Sequence, residues 1–275
     1  MGARAATIWF SDVADPKGRL AIAGASDEVP ARAIAERILG GEAAAAQTDL
    51  AAAADPAPGH VYVGSYGGLT VVTHADVAVV RPSELDPSWL DLVRAAQTFL
   101  LVTHPDRSIG AFAHWSGDEL KRSFAAHPVD ILEDIGLPEL FEGPFWAGER
   151  PLAYAPGVDP DPRALPFHPM EFAEQANREW LGFRYTYPLA ETDLDPARIP
   201  VLDFWLATAA AGPGFDPTTV GAVPAGGPED AVAVPAGPGS ETAAPDWEPH
   251  PDQSQWAPAD GDDARKGKVR RWFGF

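Results

Sequence analysis

Cysteine is absent from the 275 residues of this chain. Its absence excludes disulfide bonds, catalytic thiolates, iron–sulfur clusters and every zinc site that requires sulfur ligands. A chain without cysteine is compatible with oxidising and with reducing surroundings, so the sequence does not fix the redox compartment.

Positive charge is scarce. The chain carries 20 Lys and Arg against 40 Asp and Glu, a formal net charge of −20. This excess of carboxylates repels phosphate groups, and we therefore expect no nucleic-acid partner. No apolar run approaches the roughly 20 residues of a membrane-spanning helix, and the first residues lack the apolar stretch of a signal peptide. We expect a cytoplasmic protein with no transmembrane segment.

Several local signatures of enzymes are also missing. The chain contains no phosphate-binding G-x-x-x-x-G-K-[ST] loop, no G-x-G-x-x-G between a strand and a helix, no G-x-S-x-G motif and no H-E-x-x-H motif. We expect no cofactor. These absences exclude only enzymes whose motifs are local, since a catalytic set can also be assembled from distant residues.

Proline and glycine, by contrast, are abundant in one part of the chain. Residues 207–275 contain ten prolines and ten glycines in 69 positions, and such a segment cannot bury enough apolar surface to offset the entropy of ordering it. We predict a globular domain over residues 1–206, a disordered acidic Pro/Gly-rich linker over residues 207–264 and a basic aromatic motif over residues 265–275. A flexible coil as long as the linker 207–264 has a root-mean-square end-to-end distance of roughly 40 Å.

The fold class predicted for the globular part is α+β, a single domain with a largely antiparallel sheet flanked by about three helices. The loops between apolar runs are short, which favours antiparallel pairing because parallel strands need a long crossover. Strands are predicted over residues 6–10, 61–63, 69–72, 77–80, 98–103 and 183–187, and a hairpin over residues 109–124.

Three helices are predicted, each with a proline near its start: residues 28–39, residues 86–97 and residues 169–181. The Ala-rich stretch 42–54 fits either a helix or a loop. The Gly- and Pro-containing segment 136–166 is predicted to be irregular.

Two motifs resemble a known family. The first is Phe145-Trp146-Ala147-Gly148-Glu149-Arg150-Pro151, and the second is Leu165-Pro166-Phe167-His168-Pro169-Met170-Glu171-Phe172-Ala173-Glu174. They are similar to the P-[FY]-W-A-G-E-[RH]-P and L-P-F-H-P-L-E-[FL]-x-E motifs of an actinobacterial family catalogued as a domain of unknown function. The resemblance covers roughly residues 1–190 and none of the tail. The resemblance implies no activity. Because it does not cover the tail, any role of the tail is particular to this branch of the family.

His168, Glu171 and Glu174 form an H-x-x-E-x-x-E series at the start of a predicted helix. Spacing of three residues brings His168 and Glu171 together in the first turn, where they could share a metal ion or act as base and orienting partner. The favoured structural alternative is that His168 lies next to the helix N-cap and that Glu171, at position N3, meets free backbone amides. Candidate catalytic residues are therefore His168, Glu171 and Glu149, and candidate metal ligands are His168, Glu171 and Glu174.

Trp146, Glu149 and Arg150 lie in a Gly-containing loop. An accessible tryptophan beside an ion pair is a common recognition arrangement, so Trp146 and Arg150 are predicted binding residues. The alternative is that Trp146 fills the core while Glu149 pairs with Arg150 to fix an irregular segment. His114 is predicted to be a half-exposed strand residue on the face opposite Ala111 and Ala113.

The motif 265–275 holds all five cations of the tail beside aromatic residues. We predict that it binds a protein partner through Arg270, Arg271, Trp272, Phe273 and Phe275. An anionic membrane surface is a second target, since each cation near it contributes about 1 kcal/mol and aromatic rings can insert. The motif could instead fold back onto its own body, which carries −15 once the tail's −5 is subtracted from −20.

Taken with the missing motifs, these features favour a non-enzymatic binding or interaction protein that presents a C-terminal docking peptide. The alternative is a metal-dependent or hydrolase-like enzyme that uses His168 and Glu171.

Overall fold

A nine-stranded sheet is the centre of the structure. The computed structural model describes residues 2–152 and 161–207. All neighbouring strands of the sheet pair antiparallel, as predicted, in the order β2-β9-β3-β4-β1-β5-β6-β7-β8. The strands are β1 (Ala5–Ser11), β2 (Ala43–Asp49), β3 (His60–Ser65), β4 (Leu69–Thr73), β5 (Gln97–His104), β6 (Ile109–Ser116), β7 (Glu119–His127), β8 (Asp130–Gly136) and β9 (Pro200–Leu206).

Six α-helices accompany the sheet within the described residues, where about three were predicted. They are α1 (Pro16–Ala21), α2 (Glu28–Leu39), α3 (Leu50–Ala53), α4 (Pro87–Leu90), α5 (Gly143–Trp146) and α6 (Pro169–Leu181). Only α2 and α6, with 12 and 13 residues, exceed two turns. In the part of the chain that the structure describes, no helix is long and apolar enough to cross a membrane.

Both faces of the sheet are covered. On one face α6 contributes Phe172 to a cluster that includes Trp9 and Phe112, and on the other α2 packs against a cluster that includes Ile8 and Phe10. All seven residues of β1 are buried. A strand covered on both faces has no solvent side, which is why β1 is a continuous apolar run rather than an alternating one.

The predicted bounds of α2 and α6 are confirmed. Asp27 caps α2 by accepting a hydrogen bond from the Val29 amide, and α2 ends at Gly40 with φ +73°. Helix α6 ends in the same way at Gly182, where φ is +84°. Glycine suits both positions because a left-handed backbone is strained for residues with a side chain.

Helix α6 comes unusually close to the sheet near its first turn. A β-carbon at Gly110 of β6 would overlap the Pro169 carbonyl oxygen and would lie 2.7 Å from the Met170 nitrogen. The missing side chain therefore lets the start of α6 rest directly on the strand.

Three predictions from local pattern were wrong. The stretch 42–54 is neither a helix nor a loop throughout, because Ala43–Asp49 is edge strand β2, followed by the short helix α3. Residues 77–80 are not a strand: a 3₁₀ turn occupies Ala75–Val77. The helix predicted over residues 86–97 covers only Pro87–Leu90.

The strand predicted over residues 183–187 is also absent. Phe183 and Tyr185 are buried as the alternation requires, but Tyr187 is 56% exposed. The backbone groups of the two buried residues bond to side chains of α6: the Phe183 carbonyl accepts from Asn177, and the Tyr185 amide donates to Glu174. These bonds satisfy the backbone without a partner strand.

Strands β8 and β9 were not predicted, and β8 ends at Gly136, the first residue of the segment predicted to be irregular. Strand β9 ends at Leu206, where the composition changes. Apart from Ala207, the predicted linker 207–264 and motif 265–275 lie outside the described residues.

Candidate functional site

His168 is the N-cap residue of α6 rather than its neighbour. Its Nδ1 accepts a hydrogen bond from the Met170 amide at 3.2 Å, which satisfies one of the free amides at the start of the helix. Burial lowers the pKa of His168 from 6.5 to about 4. A neutral ring fits this position, since a protonated Nδ1 could not accept the bond.

Glu171 occupies the first turn of α6, as the structural alternative predicts. Burial raises the pKa of its carboxyl group, and the positive charges of Arg150 and Arg184 oppose that rise. The predicted binding residue Arg150 and the candidate catalytic residue Glu171 are thus close enough to interact electrostatically.

Glu174 is 2% exposed and is surrounded by donors from the segment after α6. Its Oε2 accepts from the Tyr185 amide at 2.7 Å, and its Oε1 accepts from the Thr186 hydroxyl at 2.9 Å. Burial raises the pKa of Glu174 to about 7, although these hydrogen bonds act in the opposite direction. Glu174 therefore fastens residues 185–186 to the helix.

The metal candidates are not supported by a cluster of ligands. Across residues 2–152 and 161–207, no group of three His, Asp or Glu side chains is arranged to hold a metal ion. The assignment of His168, Glu171 and Glu174 as metal ligands stays a prediction.

The Trp146 side chain packs partly against the core and is partly exposed to solvent. Its ring packs edge-on against Phe167, with 4.9 Å between ring centroids, and its Nε1 donates to Glu142 at 3.3 Å. The side chain nevertheless remains 37% exposed. The Arg150 guanidinium lies 5.9 Å from the centre of the Phe145 ring. Within the residues that the structure describes, Arg150 and Glu149 form no ion pair with each other.

A polar network that the sequence did not reveal lies at the other end of α6. His114 Nδ1 is 2.8 Å from Glu139 Oε1, and its Nε2 is 2.6 Å from Gln97 Oε1. Glu139 also accepts from Trp180 Nε1 at 2.9 Å. Burial raises the pKa of Glu139, but the hydrogen bonds from His114 and Trp180 outweigh it and leave the pKa lowered.

Arg122 forms a second network, in which Arg122 and Glu142 are 1% and 0% exposed and Asp134 is half-exposed. It donates to Glu142 through Nε and Nη2 and to Asp134 through Nη1. Burial lowers the pKa of Arg122, and the hydrogen bonds that it donates to Glu142 and Asp134 more than offset this effect. The Glu139 amide donates to Glu142 at 2.9 Å, so the two networks are joined.

Both networks support one edge of the sheet, which we call the edge surface: residues 130–146 together with Glu179. Strand β8 has a strand neighbour on one side only. Nine large apolar side chains are exposed among the described residues, and five of them belong to this surface: Ile131, Ile135, Leu137, Leu140 and Trp146.

An open groove of about 390 Å³ lies on the edge surface. It is lined by Pro138, Glu139, Leu140, Phe141 and Glu179. The lining combines two carboxylates with an aromatic ring and an exposed leucine, which suits a side chain that is both cationic and flat or apolar.

No local pattern in the sequence indicates this surface, because the residues that pair in its two networks are distant in the chain. His114 and Glu139 are 25 residues apart, and Arg122 and Glu142 are 20 apart. The one available signal was composition: residues 130–142 contain five carboxylates and no Lys or Arg.

Comparison with known proteins identifies a family but no activity. No curated protein and no solved structure matches the chain. A family model does match, over residues 5–204, and these residues hold both sequence motifs, the whole sheet except its two terminal positions in β9, and the edge surface. The chain therefore belongs to the family of unknown function (DUF6928).

Proposed function

We propose that the chain is a non-enzymatic binding protein whose body recognises a basic, apolar protein segment at the edge surface. The observation that carries this proposal is the concentration of exposed apolar side chains there, beside an unpaired strand edge. Leu137 and Leu140 are 85% and 99% exposed. A concentration of exposed apolar side chains in one segment is typical of interaction sites.

The strand edge itself favours a peptide ligand. An edge strand presents backbone donors and acceptors to which an extended segment can add. Arg81 already donates to the Leu132 carbonyl at 3.2 Å, so backbone pairing cannot run along the whole strand. Contacts beyond β8, with Leu137, Leu140 and the groove, must therefore contribute to binding.

Charge defines the class of segment. The side chains of Asp130 and Asp134 are 67% and 49% exposed, and Glu139 and Glu179 line the groove. A partner with Lys or Arg next to aromatic residues would complement both the carboxylates and the apolar side chains. An acidic segment would be repelled.

The motif 265–275 remains a proposed docking peptide on the strength of its sequence, with Arg270, Arg271, Trp272, Phe273 and Phe275 as its binding residues. The enzyme alternative has less support. His168 is the N-cap of α6 and Glu171 lies in its first turn, so a cap and a helix-end charge account for them.

A binding measurement tests the proposal. The probe is a fluorescent eleven-residue peptide of alternating Arg and Trp, followed by anisotropy. It is added to the full-length protein carrying Arg270→Ser, Arg271→Ser, Trp272→Ser, Phe273→Ser and Phe275→Ser, so that the chain's own motif cannot compete with it. We expect Leu137→Ser and Leu140→Ser to weaken binding at least fivefold. Ile22→Ser and Val29→Ser are matched controls, because these side chains are 79% and 80% exposed but lie elsewhere, and we expect them to bind normally.

Equal affinities in all four variants would contradict a site at the edge surface. A peptide in which Glu replaces Arg should not bind. Binding of that peptide would contradict the assigned charge preference.

A further inference from the structure

We infer that the segment that occupies the edge surface is the chain's own motif 265–275, so that the protein is closed to outside partners until one displaces the motif. This inference rests on the proposed function and names its ligand. The motif has the required chemistry, and the chain is long enough to deliver it.

Charge complementarity is the first argument. The edge surface presents four carboxylates to solvent or to the groove, those of Asp130, Asp134, Glu139 and Glu179, whereas Glu133 and Glu142 are buried. Within residues 207–275, all ten carboxylates precede residue 265 and all five cations follow it. The body and the linker therefore repel each other, while the motif is attracted to the body.

Apolar complementarity is the second argument. Arg270 and Arg271 directly precede Trp272 and Phe273, and Phe275 follows after one glycine. The groove offers Phe141 and Leu140 between the carboxylates of Glu139 and Glu179. A neighbouring Arg and Trp can satisfy both kinds of group at once, through ion pairs and ring contacts.

Reach is the third argument. The chain leaves the body after β9, and seven strand-to-strand steps separate β9 from β8 in the sheet. At about 4.8 Å for each step, this distance is roughly 34 Å. The expected reach of a coil the length of residues 207–264 is roughly 40 Å. A linker whose reach matches the span gives the largest effective concentration, in the millimolar range.

Closure has a measurable consequence. An outside peptide must compete with a tethered one at millimolar effective concentration, so its apparent affinity falls by the ratio of that concentration to the dissociation constant of the motif. The apparent affinity should rise when the motif is disabled.

Cross-linking tests where the motif lies. Because the chain has no cysteine, a pair of introduced cysteines forms the only possible intramolecular disulfide. The test pair is Leu140→Cys with Gly274→Cys. The matched control is Val29→Cys with Gly274→Cys: Val29 is exposed on α2, which packs against β3 and β9 where the chain leaves the body. Each rate is normalised to the reactivity of the same body cysteine with glutathione.

We expect the Leu140 pair to close at least ten times faster than the Val29 pair at low salt, and the difference to shrink in 1 M NaCl. Equal rates of disulfide formation, or a faster rate for the Val29 pair, would overturn the inference, because they would mean that the motif does not dock at the edge surface. Disulfides mainly between two chains at low protein concentration would overturn it as well, in favour of a second copy as the occupant.

A second measurement separates this inference from the proposed function. The Arg-Trp peptide is titrated into the wild type and into a full-length variant with Arg270→Ser, Arg271→Ser, Trp272→Ser, Phe273→Ser and Phe275→Ser. We expect the variant to bind at least ten times more tightly. Equal affinity would overturn the inference while leaving the proposed function intact, whereas no binding to either protein would refute the proposed function itself.

Binding of the wild type to vesicles of anionic lipid that outcompetes the Leu140 cross-link would make a membrane the ligand of the motif and overturn the inference.

Discussion

Arg122 and Glu142 form a two-pronged ion pair inside the protein, with Nε donating to Oε1 at 2.7 Å and Nη2 to Oε2 at 2.8 Å. The two side chains are 1% and 0% exposed. Arg122 comes from β7 and Glu142 from the turn before α5, so the pair fixes the segment that carries Leu140 to the sheet. The edge surface therefore depends on a buried charge being matched.

Replacing one partner should be far more damaging than replacing both. We expect Glu142→Gln to lower the free energy of unfolding by about 3–5 kcal/mol, because it leaves a buried guanidinium without its main counter-charge. The double variant Arg122→Met with Glu142→Leu should lose much less, since no unpaired charge remains. Urea unfolding at pH 7 measures both.

The exposed pair Arg81–Glu84, with side chains 52% and 66% exposed, provides the control. Glu84→Gln should change stability little, because exposed ion pairs contribute little. A cost for Glu142→Gln as small as that for Glu84→Gln would contradict the structural role of the buried pair.

Glu174 should make the protein less stable as the pH rises. Its pKa is about 7 in the folded state against 4.5 when exposed, so between these values the unfolded chain has released a proton that the folded chain keeps. The free energy of unfolding should therefore fall by roughly 3 kcal/mol from pH 4.5 to pH 7 and then level off. Glu174→Gln, which imitates the protonated form, should remove this contribution.

The measurement is the difference in unfolding free energy between wild type and Glu174→Gln, taken by urea denaturation at several pH values. A difference independent of pH would contradict a raised pKa. Glu191→Gln is a control in which the pH dependence of the wild type should be retained, because Glu191 is exposed.

Local sequence pattern predicts well those elements whose first and last residues are typical cap or turn residues. Helix α2 lies between Asp27 and Gly40, and α6 ends at Gly182, and both were located by cap residues and apolar spacing. The hairpin of β6 and β7 was found for the same reason, since its turn and its alternation are local.

Elements fixed by distant partners were missed. Strand β2 is rich in alanine, which favours a helix, but it becomes a strand by pairing with β9, more than 150 residues later in the chain. The apparent strand at Phe183 and Tyr185 failed in the opposite way, because side chains of α6 take its backbone bonds. The same distinction between local and distant partners applies to the candidate site. The position of Glu171 in the first turn was predicted from local spacing, whereas the pairing of His114 with Glu139 was not predicted.

His168 should give a pH dependence of the opposite sign to that of Glu174. Its pKa is about 4 in the folded state and 6.5 when exposed, so the unfolded chain takes up a proton first as the pH falls. The stabilisation is complete above pH 6.5 and is lost by roughly 3 kcal/mol as the pH falls to 4. Because this window overlaps that of Glu174, each contribution must be measured against its own variant.

His168→Asn is the informative variant, since asparagine caps helices well but does not titrate. Relative to it, the wild type should lose stability only below pH 6.5. His168→Ala should in addition lose about 1 kcal/mol at every pH, because the cap to the Met170 amide disappears. A wild type that parallels the Asn variant from pH 7.5 to pH 4.5 would show that the ring is not held neutral.

Gly110 is the position at which the contact between α6 and the sheet can be tested most directly. A β-carbon there would meet the backbone of Pro169 and Met170, and backbone atoms cannot move aside as the end of a flexible side chain can. We expect Gly110→Ala to lower the free energy of unfolding by at least about 2 kcal/mol. Gly24→Ala is the matched control, because a β-carbon there meets nothing within 4 Å and no left-handed φ requires glycine, so we expect it to leave stability unchanged or raise it by about 0.5 kcal/mol. Because the clash would lift the first turn of α6, Gly110→Ala should also weaken the shielding of His168 and move the pKa of its ring upward toward 6.5, which NMR titration of the ring protons measures. An unchanged stability together with an unchanged His168 titration would mean that α6 does not rest on β6 at Gly110.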